Sequence, residues 1–165
     1  MTTPNPQPQV GAIQGNISDY VRLPKVSVHN PNWPAADDLY DSAAPTFVSV
    51  KPQVIPEGTV IYRVYGGASN SVGYFWSFTK PPKTLADWRA EDAVELSWNE
   101  GNEWEQGTVK AGGAKAWVGP AAAQPAQDTN DNPLPGWLLP GGATQINIVS
   151  TDDLDILKLG KEDWG

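Results

Sequence analysis

Thr59-Val60-Ile61-Tyr62-Arg63-Val64-Tyr65-Gly66-Gly67 decides the fold class. All but Arg63 in its first seven positions are β-branched or aromatic, the side chains that fit a pleated, half-buried surface. The turn Pro56-Glu57-Gly58 precedes this strand and two glycines stop it. Working outward, Tyr74-Phe75-Trp76-Ser77-Phe78-Thr79 reads as a second strand, ended by Pro81-Pro82. Thr84-Leu85-Ala86-Asp87 is a Thr-x-x-Asp capping signature that opens a short helix running to position 95. Weaker strands are expected at 107–110 and 115–118, and a firmer one at 145–149, where Ile146 and Ile148 alternate with polar neighbours. A further strand is expected at 46–51. Residues 120–136 read as a long surface loop, and Thr151 as the cap of a closing helical turn over 152–159. The expected class is α+β, dominated by strands, with few short helices.

Proline and glycine divide the chain. Nine of 16 prolines lie in residues 1–56 and 14 of 16 glycines after them, which sets an extended, Pro-rich tail and wrap (1–55) against a compact domain (56–165). The formal net charge of −8 opposes binding to nucleic acid or to an anionic membrane surface. With no cysteine and one histidine, His29, the chain has no thiolate metal site, and the expectation is no metal. Asp128-Thr129-Asn130-Asp131-Asn132 begins like a calcium loop, but Pro133 stands where the loop needs glycine, so a polar turn is expected. No stretch approaches a membrane span, and MTTPNPQPQVGAIQG lacks the basic start and apolar core of a signal peptide. Export by another route, or a chain that is part of a longer protein, is therefore expected.

Phosphate-loop, nucleophile-elbow and zincin motifs are all missing from the sequence. Arg63 is the informative charge, because a guanidinium inside an apolar strand is costly unless it is paired or faces a cleft. It either pairs with a core carboxylate, points to solvent from an edge strand, or holds a phosphate or carboxylate on a pocket floor. Gly66 and Gly67 permit close approach of a ligand, or simply make a hairpin turn. Pro140-Gly141-Gly142-Ala143-Thr144-Gln145 brings Gln145 to the lip of a sheet, where it is either a turn glutamine with no further role or an amide that holds a ribose hydroxyl or orients a water. Trp76, Trp88 and Trp117 are expected in the core. Trp98 and Trp104 bracket an acidic stretch and, if exposed, suit a sugar-binding face; Glu100 and Glu103 between them are either a glycosidase pair or, more often for such neighbours, solvated charge.

Pro56, Gly58, Thr59 and Arg63, in the pattern Pro-x-Gly-Thr-x-x-x-Arg, resemble the opening of NAD-consuming toxin domains of the tuberculosis-necrotising-toxin kind. The Pro-Gly-Gly-Ala-Thr-Gln run at 140–145 is similar to that family's segment before its last core strand, and Tyr62–Gly67 followed by an aromatic-Trp-Ser segment resembles C-terminal domains of bacterial polymorphic toxins. The resemblance spans residues 56–149. It implies an ADP-ribosyltransferase-like split β-sheet gripping NAD as substrate, with Gln145 catalytic and Arg63 on the pyrophosphate side. It also implies a nicotinamide stacked on Tyr74 and Trp76, with Gly66, Gly67 and Arg89 contributing to the cleft. Tyr74 stands where the family has arginine, and no histidine lies near 107–110. A cognate immunity protein, a larger delivery protein or secretion machinery, and action in the cytoplasm of a target cell are implied with it. The alternatives are a non-catalytic carbohydrate-binding β module using Trp98 and Trp104, or a structural component of a secretion or phage particle docked through residues 1–55.

Overall fold

The computed structural model describes residues 7–65, 73–80, 85–94, 103–130 and 132–160. Its strands in chain order are β1 (Ile13–Gln14), β2 (Lys51–Ile55), β3 (Val60–Tyr65), β4 (Phe75–Trp76), β5 (Glu103–Val109) and β6 (Ala114–Pro120). β7 (Gln124–Gln127), β8 (Pro133–Leu139), β9 (Thr144–Ile148) and β10 (Leu154–Gly160) follow, and α1 (Leu85–Asp92) lies between β4 and β5. The strands form three antiparallel sheets, ordered β10-β5-β3, β2-β6-β9-β4 and β1-β8-β7. The class is α+β with strands predominant.

The first two sheets touch at one seam. Tyr62 on β3 and Ser77 just after β4 exchange both backbone hydrogen bonds, at 2.8 and 2.7 Å. Ile61, Val109 and Leu154 from one sheet meet Ile55, Ala114, Ala116, Ile146 and Ile148 from the other, with Trp76 among them. Gly107 makes room for that indole, since a Cβ there would sit 3.2 Å from the Trp76 ring.

β6 has buried residues on both faces, Ala114 and Ala116 on one and Trp117 on the other. Its Trp117 turns away from the inter-sheet core and packs with Leu39, Ala43, Ala44 and Phe47. The Trp117 Nε1 donates to the Asp37 carbonyl at 2.9 Å, and Trp33 meets the indole edge-on, ring centres 5.5 Å apart. The irregular segment before β2 thus supplies a hydrophobic cluster of its own. Proline-rich chain forms it through 3-10 turns such as Ala44–Thr46 rather than long strands. Residues 1–6 of the tail lie outside the described residues.

Three sequence expectations are corrected. Residues 120–136 are not a surface loop: Ala121, Ala122, Ala123 and Ala126 are buried, and β7 pairs with β8. Pro125 is tolerated because β7 is an edge strand whose register shifts between Pro125 and Gln127. The closing helix is a single 3-10 turn, Thr151–Asp153, capped by the Ser150 side chain rather than Thr151. β10 follows it, because Leu154 and Ile156 gain more by packing on the inter-sheet core than by continuing a helix. The strand expected at 46–51 begins only at Lys51, since the 3-10 turn occupies Ala44–Thr46. Helix α1, strands β3, β5, β6 and β9 fall where they were expected, within a few residues.

Candidate functional site

A cavity of about 480 Å³ opens where the two large sheets diverge. Its walls come from β3 (Tyr62, Arg63, Val64), from β4 and its exit (Phe75 to Ser77, Thr79) and from the last turn of α1 with the residues after it (Trp88, Glu91 to Val94). Gln145 at the start of β9 and Tyr40, Ser42 and Thr46 from the N-terminal segment complete it. Residues far apart in sequence converge here beside the bridge at which Tyr62 and Ser77 join the two sheets.

Period-two alternation on β9 sends Ile146 and Ile148 to the core and Gln145 to the cavity side. Gln145 is only 8% exposed. Its Nε2 donates to the Thr46 carbonyl at 3.1 Å and to Thr46 Oγ1 at 2.9 Å. The Thr46 hydroxyl spends its own proton on the Ala43 carbonyl at 2.6 Å, so it receives from Gln145. The Gln145 amide nitrogen therefore staples the N-terminal segment to β9, and its carbonyl oxygen is the atom left for a ligand.

The turn before β9 explains its two glycines. Gly141 and Gly142 sit at φ of +71° and +100°, where an L side chain is strained. The same turn closes the end of α1: Gly141 N–H donates to the Ala90 carbonyl at 2.7 Å and Ala143 N–H to the Glu91 carbonyl at 3.0 Å. Helix-terminal carbonyls that would otherwise lack partners are satisfied by the loop that delivers Gln145. The helix itself ends on Ala93, which takes a left-handed φ of 50° without being glycine.

Arg63 lies opposite Glu105 in the β3–β5 register, and Glu105 is fully buried. Burial pushes the Arg63 pKa down, while the Glu105 carboxylate opposes that shift. The guanidinium packs where a side chain on Gly73 would be, so glycine at 73 is what admits it. Arg63 thus both faces a core carboxylate and lines the cavity.

The other expected site residues separate. Trp76 lines the cavity, anchored by Nε1–H donation to the Gly73 carbonyl at 2.8 Å. Tyr74 is half exposed and lies outside it, on a neighbouring concavity shared with Tyr40 and Asn147. Arg89 is buried behind the wall, its guanidinium 5.2 Å from the Trp88 ring centre and 3.3 Å from the Val94 carbonyl to which it donates. Gly66 and Gly67, like Trp98, fall outside the described residues. Trp104 is corrected: it is 5% exposed, packed with Val64 and Trp88 beneath Lys80, and presents no open face to a sugar. The Asp128 carboxylate closes the β7–β8 turn by accepting from the Asn130 and Asn132 backbones at 2.8 and 3.0 Å.

Sequence reasoning missed Asp92. It lines the cavity, and burial, reinforced by Glu91, pushes its carboxyl up to about 7. A signal was present: Glu91-Asp92 places two acids in the last turn of a helix, where the macrodipole favours cations.

No protein-family model matches the chain, and no curated protein does. Among solved structures it is similar to a chain of the structure of Tne2 in complex with Tni2, with a TM-score of 0.50 and 17% identity. The likeness covers 68% of this chain and 92% of that one. What the two share is a fold. Among the described residues, no helix is long and apolar enough to cross a membrane.

Proposed function

We propose that this chain is a toxin domain that cleaves NAD at the nicotinamide N-glycosidic bond, and that a dedicated protein partner holds it in check. The observation that carries the reading is the meeting of Arg63, Trp76 and Gln145, distant in sequence, around one cavity at the split between two sheets. The motif resemblance assigns those same three positions to NAD. A fold shared with a chain solved in a two-protein complex supports a partner for this chain as well.

Cleavage leaves oxocarbenium character on the ribose while the ring nitrogen takes the bonding electron pair and departs neutral. Gln145 offers a fixed amide oxygen to a ribose hydroxyl or to the attacking water, with its nitrogen already committed to Thr46. Trp76 supplies an apolar wall for the ring, and Arg63 a cation for the pyrophosphate. Fixed dipoles around an aromatic-walled cavity stabilise developing charge without reorganisation.

The test is loss of NAD, followed fluorimetrically, by purified protein and its Gln145→Ala variant. We expect loss with the wild type and a reduction of about 100-fold or more in the variant. Because the substitution removes two hydrogen bonds, each worth roughly 1 kcal/mol, melting curves of both proteins accompany the assay. No NAD loss by the folded wild type, with cell lysate present as a source of acceptors, overturns the reading.

A further inference from the structure

The cavity combines an aromatic wall with a local excess of acid. Tyr62, Phe75, Trp76 and Trp88 line it, and so do Glu91 and Asp92. The charged groups around it can be followed element by element. β3 brings Arg63, and β5 places the buried Glu105 opposite Arg63. α1 brings Glu91 and Asp92 to the wall and Arg89 behind it, with the Arg89 guanidinium over Trp88. Tyr40, from the N-terminal segment, adds a phenol whose pKa burial raises, so it is neutral. On the wall itself one guanidinium meets two carboxyls, Glu91 and Asp92, with Arg89 and Glu105 buried behind it, and Asp92 decides whether the balance is even or negative. Indole and phenol faces attract cations through their quadrupoles, and more strongly in a desolvated site.

We propose that this cavity selects a cationic aromatic ring, a quaternary pyridinium of the nicotinamide kind, and that the ionised Asp92 carboxylate is the residue that discriminates it from the neutral ring. This rests on the NAD reading above and names the part of the substrate that the cavity recognises. It also accounts for a carboxyl kept in a costly place: a burial that holds its pKa near neutrality lets departure of the ring's charge and protonation of Asp92 accompany one another. In the cleavage itself the C1′–N bond breaks with its electron pair going to the ring nitrogen, water forms the new C–O bond and gives its proton to solvent, and Asp92 takes up a proton from solvent once the ring's charge is gone.

The experiment is a tryptophan-fluorescence titration with 1-methylnicotinamide, a cation, and with nicotinamide, its neutral counterpart, at pH 6 and pH 8. At pH 8 the wild type is expected to bind the cation roughly tenfold more tightly than the neutral compound. Most of that preference disappears at pH 6, and Asp92→Asn shows none at either pH. Glu57→Gln, in the exposed turn before β3 and away from the cavity, retains the preference, showing that the protein's overall acidity is not its source. Equal binding of the two compounds at pH 8, preference surviving in a folded Asp92→Asn protein, or no binding of either compound overturns the inference. Its fate is separable from that of the function: NAD loss without cation preference sinks only this inference, whereas cation preference without NAD loss sinks the glycohydrolase reading and leaves the selectivity standing.

Discussion

At Gly73 one hydrogen atom decides where a guanidinium lies. A methyl group there would displace the Arg63 side chain, whose far end is flexible enough to move. Gly73→Ala is therefore expected to cost less than about 1 kcal/mol of stability. Under the proposed reading the KM for NAD should nevertheless rise roughly tenfold, the worth of a charge-assisted contact; an unchanged KM in steady-state assays would remove Arg63 from the proposed binding site. Asp92 carries the second prediction at this scale. Its carboxyl is raised from the ordinary 3.8 to about 7, so the native state binds the proton more tightly than the unfolded chain does. The stability it contributes is complete below the ordinary carboxyl range and is lost as pH rises through 7. Between pH 5 and pH 8 the wild type should lose roughly 1–3 kcal/mol more than Asp92→Asn, read from denaturant melts. Parallel pH curves would show that the carboxyl is not held neutral.

At the scale of elements, the end of α1 and the glycine turn before β9 form one device. The turn satisfies the Ala90 and Glu91 carbonyls, and in return the helix fixes the approach to Gln145. Ala93, at φ 50° and packed with Ala126 and Leu139, is its tightest point. Ala93→Val should cost about 2 kcal/mol or more, since a β-branched residue resists that φ and the packing leaves no room. Ala93→Gly should be near neutral, because relief of strain offsets the lost methyl contact; similar melting midpoints for the two variants would contradict this account. This level also shows what sequence could reveal. β3 and β9 were legible because their branched and aromatic runs and their alternation coincide with burial. β7 and β8 were not, because alanine and proline are poor strand formers and only burial of Ala121 to Ala126 and the edge position of Pro125 make them strands. Gln145 and Arg63 stood out as polar residues at strand positions; Asp92 looked like any solvated helix acid until a cavity formed around it.

For the whole molecule, the segment before β2 is part of the body. Gly119 on β6 is crossed so closely by Ser49 that any Cβ there would strike the Ser49 carbonyl. Gly119→Ala is expected to destabilise by about 3 kcal/mol or more, and calorimetry finding a shift below about 1 kcal/mol would show that the crossing can relax. The same crossing leads to Thr46, whose bonds to Gln145 join positions 99 residues apart. Such a contact is formed late, since the entropy of closing a long loop must be met before the contact returns anything. A ribosome releasing this protein from its N-terminal end has exposed Thr46 long before Gln145 is synthesised. Until then the pocket lacks a wall, so a chain still on the ribosome holds only an incomplete cavity, and under the proposed reading a partner waiting nearby has the whole of translation in which to arrive.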